Sequence, residues 1–114
     1  LIQCTPCPAP TTQTITCGTP LTFTDSGGSG GNYGNNENYT VTLIPSNPSQ
    51  CIAYTFSSFN TNSSNDFISL YNGGTTAAPL IGTYFNTSTP PSFTTSGGAL
   101  TYVFQSDGSG VSSG

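Results

Sequence analysis

Lysine, arginine and histidine are absent from all 114 residues, and so are methionine and tryptophan. The charged side chains are Asp25, Glu37, Asp66 and Asp107, which leaves a formal net charge of -4. Nucleic acids and anionic membrane surfaces bind proteins through cationic side chains that displace counterions. Nucleic acid is therefore excluded as a partner. Catalysis loses its usual machinery as well, because a Ser or Thr nucleophile without His, Lys or Arg has no conventional base. An aspartate pair acting alone would need a water-excluding cleft that no motif suggests. The Gly-rich GGSGG at 27–31 lacks the strand, lysine and helix of a phosphate-binding loop. No catalytic residue is assigned, and an enzyme is not expected.

Long apolar runs are missing too. Nothing approaches the ~18–20 residues of a membrane span, so membrane insertion is not expected. No charged segment leads into an apolar stretch in the manner of a targeting signal. Helical periodicity is nowhere sustained over two turns. Solubility must come from hydroxyls and amides, or from attached glycan. Asn-x-Ser/Thr sequons stand at Asn38, Asn62 and Asn86, although Asn, Ser and Thr are abundant enough for chance matches. A surface without Lys or Arg also resists trypsin-like cleavage, which suits an exposed, long-lived cell-surface or fibrous protein.

What is present is a thin, aromatic-rich core. The apolar share is 32%, with seven Phe and six Tyr, and a single domain of this size offsets chain entropy only marginally. Covalent staples therefore matter. Cys4, Cys7, Cys17 and Cys51, in a chain dominated by Thr, Ser, Asn and Gly, fit disulfides in an oxidising, extracellular compartment. A zinc site would need CxxC spacing twice. Only Cys4-Thr5-Pro6-Cys7 has it. Four cysteines allow three pairings, and spacing does not choose among them.

Residues 1–14, LIQCTPCPAPTTQT, read as a short apolar strand followed by an extended Pro/Thr-rich connector, and residues 15–114 as one domain. Short β-rich runs follow: TITC at 14–17, LTFT at 21–24, YTVTLI at 39–44, CIAYTFSSF at 51–59, DFISLY at 66–71, LIGTYF at 80–85 and ALTYVF at 99–104. Several alternate apolar with polar residues, as half-buried strands do. Ile52, Tyr54 and Phe56 share one face, and so do Leu100, Tyr102 and Phe104. The segment GGSGGNYGNN at 27–36 reads as a long flexible loop, with Asp25 and Glu37 facing solvent. NGG at 72–74 reads as a tight turn. Seven strands punctuated in this way predict an all-β antiparallel sandwich or barrel.

Three ordered segments together resemble CUB domains, extracellular β-sandwich modules of the jelly-roll kind. In NDFISLYNG at 65–73, Asp66, Ile68, Leu70, Tyr71 and Gly73 match the family pattern, with Asn72 where an Asp is usual. In ALTYVFQSDGSGVSSG at 99–114, Leu100, Val103, Phe104, Ser106, Asp107, Ser109 and Gly114 match the strand and Ser-Asp-x-Ser loop. The segment 25–59 is similar to the front half of bacterial surface versions, through its Gly-rich loop, Tyr33 and the strand entering at Cys51. The resemblance covers residues 15–114.

That resemblance implies a Cys17–Cys51 disulfide, leaving the pairing of Cys4 and Cys7 open. It also implies a calcium site, carried over onto Asn62, Asp66 and Asp107 with Ser109 as a further oxygen donor. Asn62 replaces a carboxylate there, which weakens the site; hydrogen bonding of the two Asp side chains to turn amides is the plain alternative. CUB modules close with a Gly-aromatic strand expected to begin where this sequence reaches Gly114. Leu1, Ile2, Gln3 and Cys4 are accordingly expected to form an inter-subunit strand that completes a neighbour's sheet, giving a head-to-tail homopolymer or tandem array. The resulting expectation is a filament or surface-layer subunit. The alternative is a calcium-assisted adhesion module that binds protein or carbohydrate.

Overall fold

The computed structural model describes residues 11–18 and 21–114. Seven strands occur among them: β1 (Thr11–Ile15), β2 (Asn38–Pro45), β3 (Ala53–Tyr54), β4 (Phe67–Tyr71), β5 (Leu80–Tyr84), β6 (Phe93–Thr94) and β7 (Leu100–Gln105). They build a five-stranded sheet of order β1-β2-β7-β4-β5 and a two-stranded sheet of β3 and β6. Every pairing is antiparallel except β1 with β2, which run parallel from Thr11↔Val41 to Ile15↔Pro45.

The centre of the larger sheet is β7, flanked by β2 and β4. Its alternation is the one read from sequence: Leu100, Tyr102 and Phe104 are all buried, as a strand with one face on a core requires. Leu43 from β2 and Ile68 and Leu70 from β4 join them, with Ile52 and Tyr54 arriving from the second layer. Rings then interlock across the layers. Phe23 stacks on Tyr102 with centroids 5.3 Å apart and meets Phe56 edge-on at 5.4 Å. Phe104 receives Tyr33 at 5.1 Å and Tyr39 at 5.5 Å. Such pairs add about 0.5–1.5 kcal/mol each beyond burial, and they join the second layer to the first where few main-chain ladders do.

The opposite face of the central strands carries hydroxyls instead. Thr101 is fully buried there, its Oγ1 2.9 Å from Thr42 Oγ1 and donating to Gly73 O at 2.9 Å. The loop after β4 folds over this face, held by Asn72 N–H to Pro79 O at 2.8 Å and by the Asn72 amide, which donates to Ser96 Oγ and accepts from Ser96 N–H. Asn72 thus pins two turns together. A side chain at Gly73 would collide with Ala78, so that position has no room for a Cβ.

Five expectations change. Residues 11–14, read as connector, belong to β1, because Thr-rich sequence fits a pleated edge as readily as a linker. The run at 21–24 is not a strand among the described residues, and 51–59 shrinks to Ala53–Tyr54, since alternation alone does not supply a partner. The pair β3–β6 adds a strand at Phe93–Thr94 that the Pro-rich flank at 90–91 concealed. Finally, 27–36 is not a free loop: it contains a short 3-10 turn at Gly28–Gly30, and Tyr33 inserts into the core with 1% exposure.

Truncating Leu70 to Ala is expected to cost about 2–5 kcal/mol, because the side chain is fully enclosed and the cavity cannot collapse between two ladders. Leu80→Ala, on a side chain that is 56% exposed, should stay within about 0.5 kcal/mol. Urea midpoints of the two variants check this contrast.

Candidate functional site

Three loops meet at one end of the sandwich around the Asp66 carboxylate, which has no exposed surface. Its Oδ2 accepts from Tyr33 O–H at 2.6 Å and its Oδ1 from the Asp107 N–H at 2.8 Å. The Tyr33 oxygen in turn accepts from Asn62 N–H at 2.8 Å. Asp107 Oδ1 accepts from the N–H of exposed Ser109 at 3.1 Å. Asn36 N–H reaches Asp107 O at 2.8 Å, so the Gly-rich loop is tied down at both Tyr33 and Asn36. A buried carboxylate is tolerable only when its oxygens are satisfied, and here the donors come from two separate loops.

A second polar knot lies beside it. Ser106 Oγ accepts from Glu37 N–H at 2.8 Å and donates to Gly34 O at 2.7 Å, while Ser106 N–H donates to Glu37 O at 2.8 Å. Glu37 Oε1 accepts from Gly34 N–H at 2.8 Å and from the Ser26 hydroxyl, whereas its buried Oε2 has no partner among the described residues. Neither Asp25 nor Glu37 is a freely solvated loop carboxylate. Burial pushes the Asp25 carboxyl up, a shift that Gly27 N–H opposes and the nearby Glu37 charge reinforces. The cause in both cases is the inward turn of 25–37 behind Tyr33, which no local pattern announces.

The predicted site residues separate into groups. Asp66, Asp107 and the Asn62 backbone do converge. Calcium takes six to eight oxygens, and these residues fit it in part: the Asp107 backbone meets the Asp66 carboxylate, but both Asp66 oxygens already serve protein donors in an enclosed position. No group of three or more His, Cys, Asp or Glu gathers among the described residues. No Cys17–Cys51 disulfide is seen among the described residues. Hydrogen bonds from Ser46 and then from the Asn47 N–H, which lies 3.4 Å from the Cys17 sulfur, hold the Cys17 thiol below its ordinary range. Asn38, Asn62 and Asn86 are exposed. Leu1, Ile2, Gln3, Cys4 and Cys7 lie outside the described residues.

A larger feature was not expected. Between the layers is an apolar cavity of about 670 Å³, lined by Phe23, Tyr54, Phe56, Phe59, Tyr102 and Phe104 among others, with Asp25 and Gly114 on its wall. Its two borders in the thin layer are residues 21–25 and 52–59. Within them, 21–24 and 55–59 make no main-chain hydrogen bond to any described residue. Tyr54 O–H is buried on the same wall without a partner among the described residues. Alternation in LTFT and CIAYTFSSF was the signal for this site; it marked faces prepared for burial.

The sequence of loops, the two-layer β architecture and the Asp66-centred cluster accord with the remaining observation: a family model for the CUB domain matches residues 17–114. The chain belongs to the CUB domain family. CUB domains are non-catalytic modules and are generally extracellular, and some of them bind calcium. The match begins at Cys17, so in this CUB domain all of β1 precedes the matched region.

The buried tyrosines make a pH test of the cluster. Burial, and then the bond to Asp66, pushes Tyr33 up to about 12, and burial alone is the leading cause for Tyr54, also about 12. An unfolded tyrosine ionises near 10, so between these values the unfolded chain has released protons that the folded chain retains. Stability is therefore full below about pH 10 and falls as pH rises through the folded values. Urea midpoints at pH 8 and pH 11 should differ in that direction. Tyr33→Phe should lower stability at pH 8 by about 1–3 kcal/mol, by stranding Asp66 Oδ2, and should also flatten the alkaline slope.

Proposed function

We propose that this CUB domain is a non-catalytic extracellular structural module, the subunit or repeat of a filament or surface layer built head to tail by strand complementation. The observation that carries the reading is the imbalance of the sandwich: five strands in one sheet against two short ones in the other, with an open aromatic cavity beneath the thin layer. Protein cores pack nearly as densely as organic crystals. A void of this size is an invitation to an additional element. The composition agrees, since a lysine- and arginine-free surface withstands trypsin-like cleavage, and four carboxylates in 114 residues leave little charge repulsion between subunits.

Meeting of Asp66 with Asp107 beside Asn62 favours a second reading, a calcium-assisted adhesion module that binds protein or carbohydrate. Calcium would be held by Asp107, Asp66, Asn62 and Ser109 oxygens and would cross-link the loops. Electron microscopy of the protein at high concentration, with and without chelator, separates the readings. Filaments with an axial repeat near one domain length, insensitive to chelator, are expected. Dispersed particles whose thermal midpoint drops on chelation would support the second reading and overturn the first.

A Cys17–Cys51 bridge belongs to the same proposal. Cys17 contacts Asn47, and Gln50 N–H returns to Asn47 O at 3.0 Å, so the 46–50 turn carries the chain from one cysteine toward the other. Secreted material should then resist alkylation at both residues until reduced, as peptide mapping would reveal. Glycan at Asn38, Asn62 and Asn86 would appear in the same map.

A further inference from the structure

We infer that the aromatic cavity is the acceptor slot of this assembly, and that its occupant is residues 1–4 of a second copy, with Ile2 and Cys4 facing inward and Gln3 facing out. The inference rests on the filament reading and names the surface and register that the reading leaves open. Three features of the slot select an extended peptide over a small apolar ligand. Its borders, 21–24 and 55–59, leave main-chain donors and acceptors without described partners, which a strand satisfies and a hydrocarbon does not. Phe23, Phe56 and Phe59 form a continuous edge-to-face row, with centroid separations of 5.4 and 6.0 Å, along which side chains of alternate strand residues would seat. Asp25 is the single charged side chain on the wall, and an occupant drawn from this chain brings no cationic side chain to it.

Within this sequence the segment meeting those terms is LIQC. It is uncharged, and alternation puts Ile2 and Cys4 on one face and Gln3 on the other. The second copy is preferred to the same copy because Pro6, Pro8 and Pro10 stand between this segment and β1. Such composition favours a polyproline II spacer of about 3.1 Å per residue, stiff against folding back. The six residues from Thr5 to Pro10 would span about 19 Å in that form, enough to hold residues 1–4 away from the edge of their own β1 and offer them to a neighbour.

The test compares assembly of the full chain with that of Ile2→Asp and Gln3→Asp by sedimentation and electron microscopy. Both positions precede β1, so neither change removes a described core contact. Ile2→Asp should raise the concentration needed for assembly at least about tenfold, the effect of withdrawing one buried aliphatic side chain; Gln3→Asp should change it by less than about twofold. A photo-crosslinking residue at position 2, in a mixture of isotopically labelled and unlabelled chains, should attach to peptides from 21–25 or 52–59 of a different copy. Filaments that form equally well from all three chains overturn the inference and leave the filament reading standing. Crosslinks confined to the same copy, or to other surfaces because another segment fills the slot, overturn it also. If no chain assembles, the filament reading fails and the inference falls with it.

Discussion

A carboxylate without solvent access organises this domain. Asp66 sits at the entrance to a central strand, where ionisation in an apolar setting is costly unless each oxygen meets a donor. The Tyr33 hydroxyl and the Asp107 amide supply those donors from segments that precede β2 and follow β7. The Gly-rich loop is held down by the former, and the chain leaving the sheet is turned by the latter. Ser106 and Glu37 repeat the arrangement one step away. The end of the sandwich is consequently a closed polar network with little slack, and the same closure limits what its carboxylates offer to a cation.

The opposite condition holds between the layers. There the aromatic rings are numerous but the ladders are few, and the second sheet consists of two residues from each of two segments. Phe23 shows the consequence: its ring is placed by Tyr102 and Phe56 while its backbone has no described strand partner. Hydrophobic contact is non-directional and can hold such a segment near the core; hydrogen-bond registration of a sheet cannot be supplied by rings. The module is thus closed at one end, while in its thin layer 21–24 and 55–59 have no main-chain partner among the described residues. What charge the chain carries comes from four carboxylates alone.

Much of this was legible in the linear pattern. Alternation identified β2, β4, β5 and β7 almost to the residue, because each has one face on a core and the period of two is enforced by the pleat. It overstated 21–24 and 51–59 for an instructive reason: the apolar faces exist, but beyond Ala53–Tyr54 neither run has a ladder partner among the described residues. It also missed Phe93–Thr94, where neighbouring prolines dominate the local signal, and it misread 11–14, whose threonines serve edge strand and connector equally.

For the site, Asp66 and Asp107 were identified from family resemblance, whereas the role of Tyr33 as their partner was not, since its hydroxyl lies far along the chain from both. By itself, the sequence determined the class of fold, the absence of catalytic bases and cationic surfaces, and the faces destined for burial; each is a property of composition or of a local period. Tertiary structure alone decided that Asp66 is enclosed, that Glu37 turns inward, and that an aromatic cavity lies open under the thin sheet. Those outcomes depend on which distant segments meet, and the energy of a hydrogen bond or a void is a property of the meeting rather than of either segment.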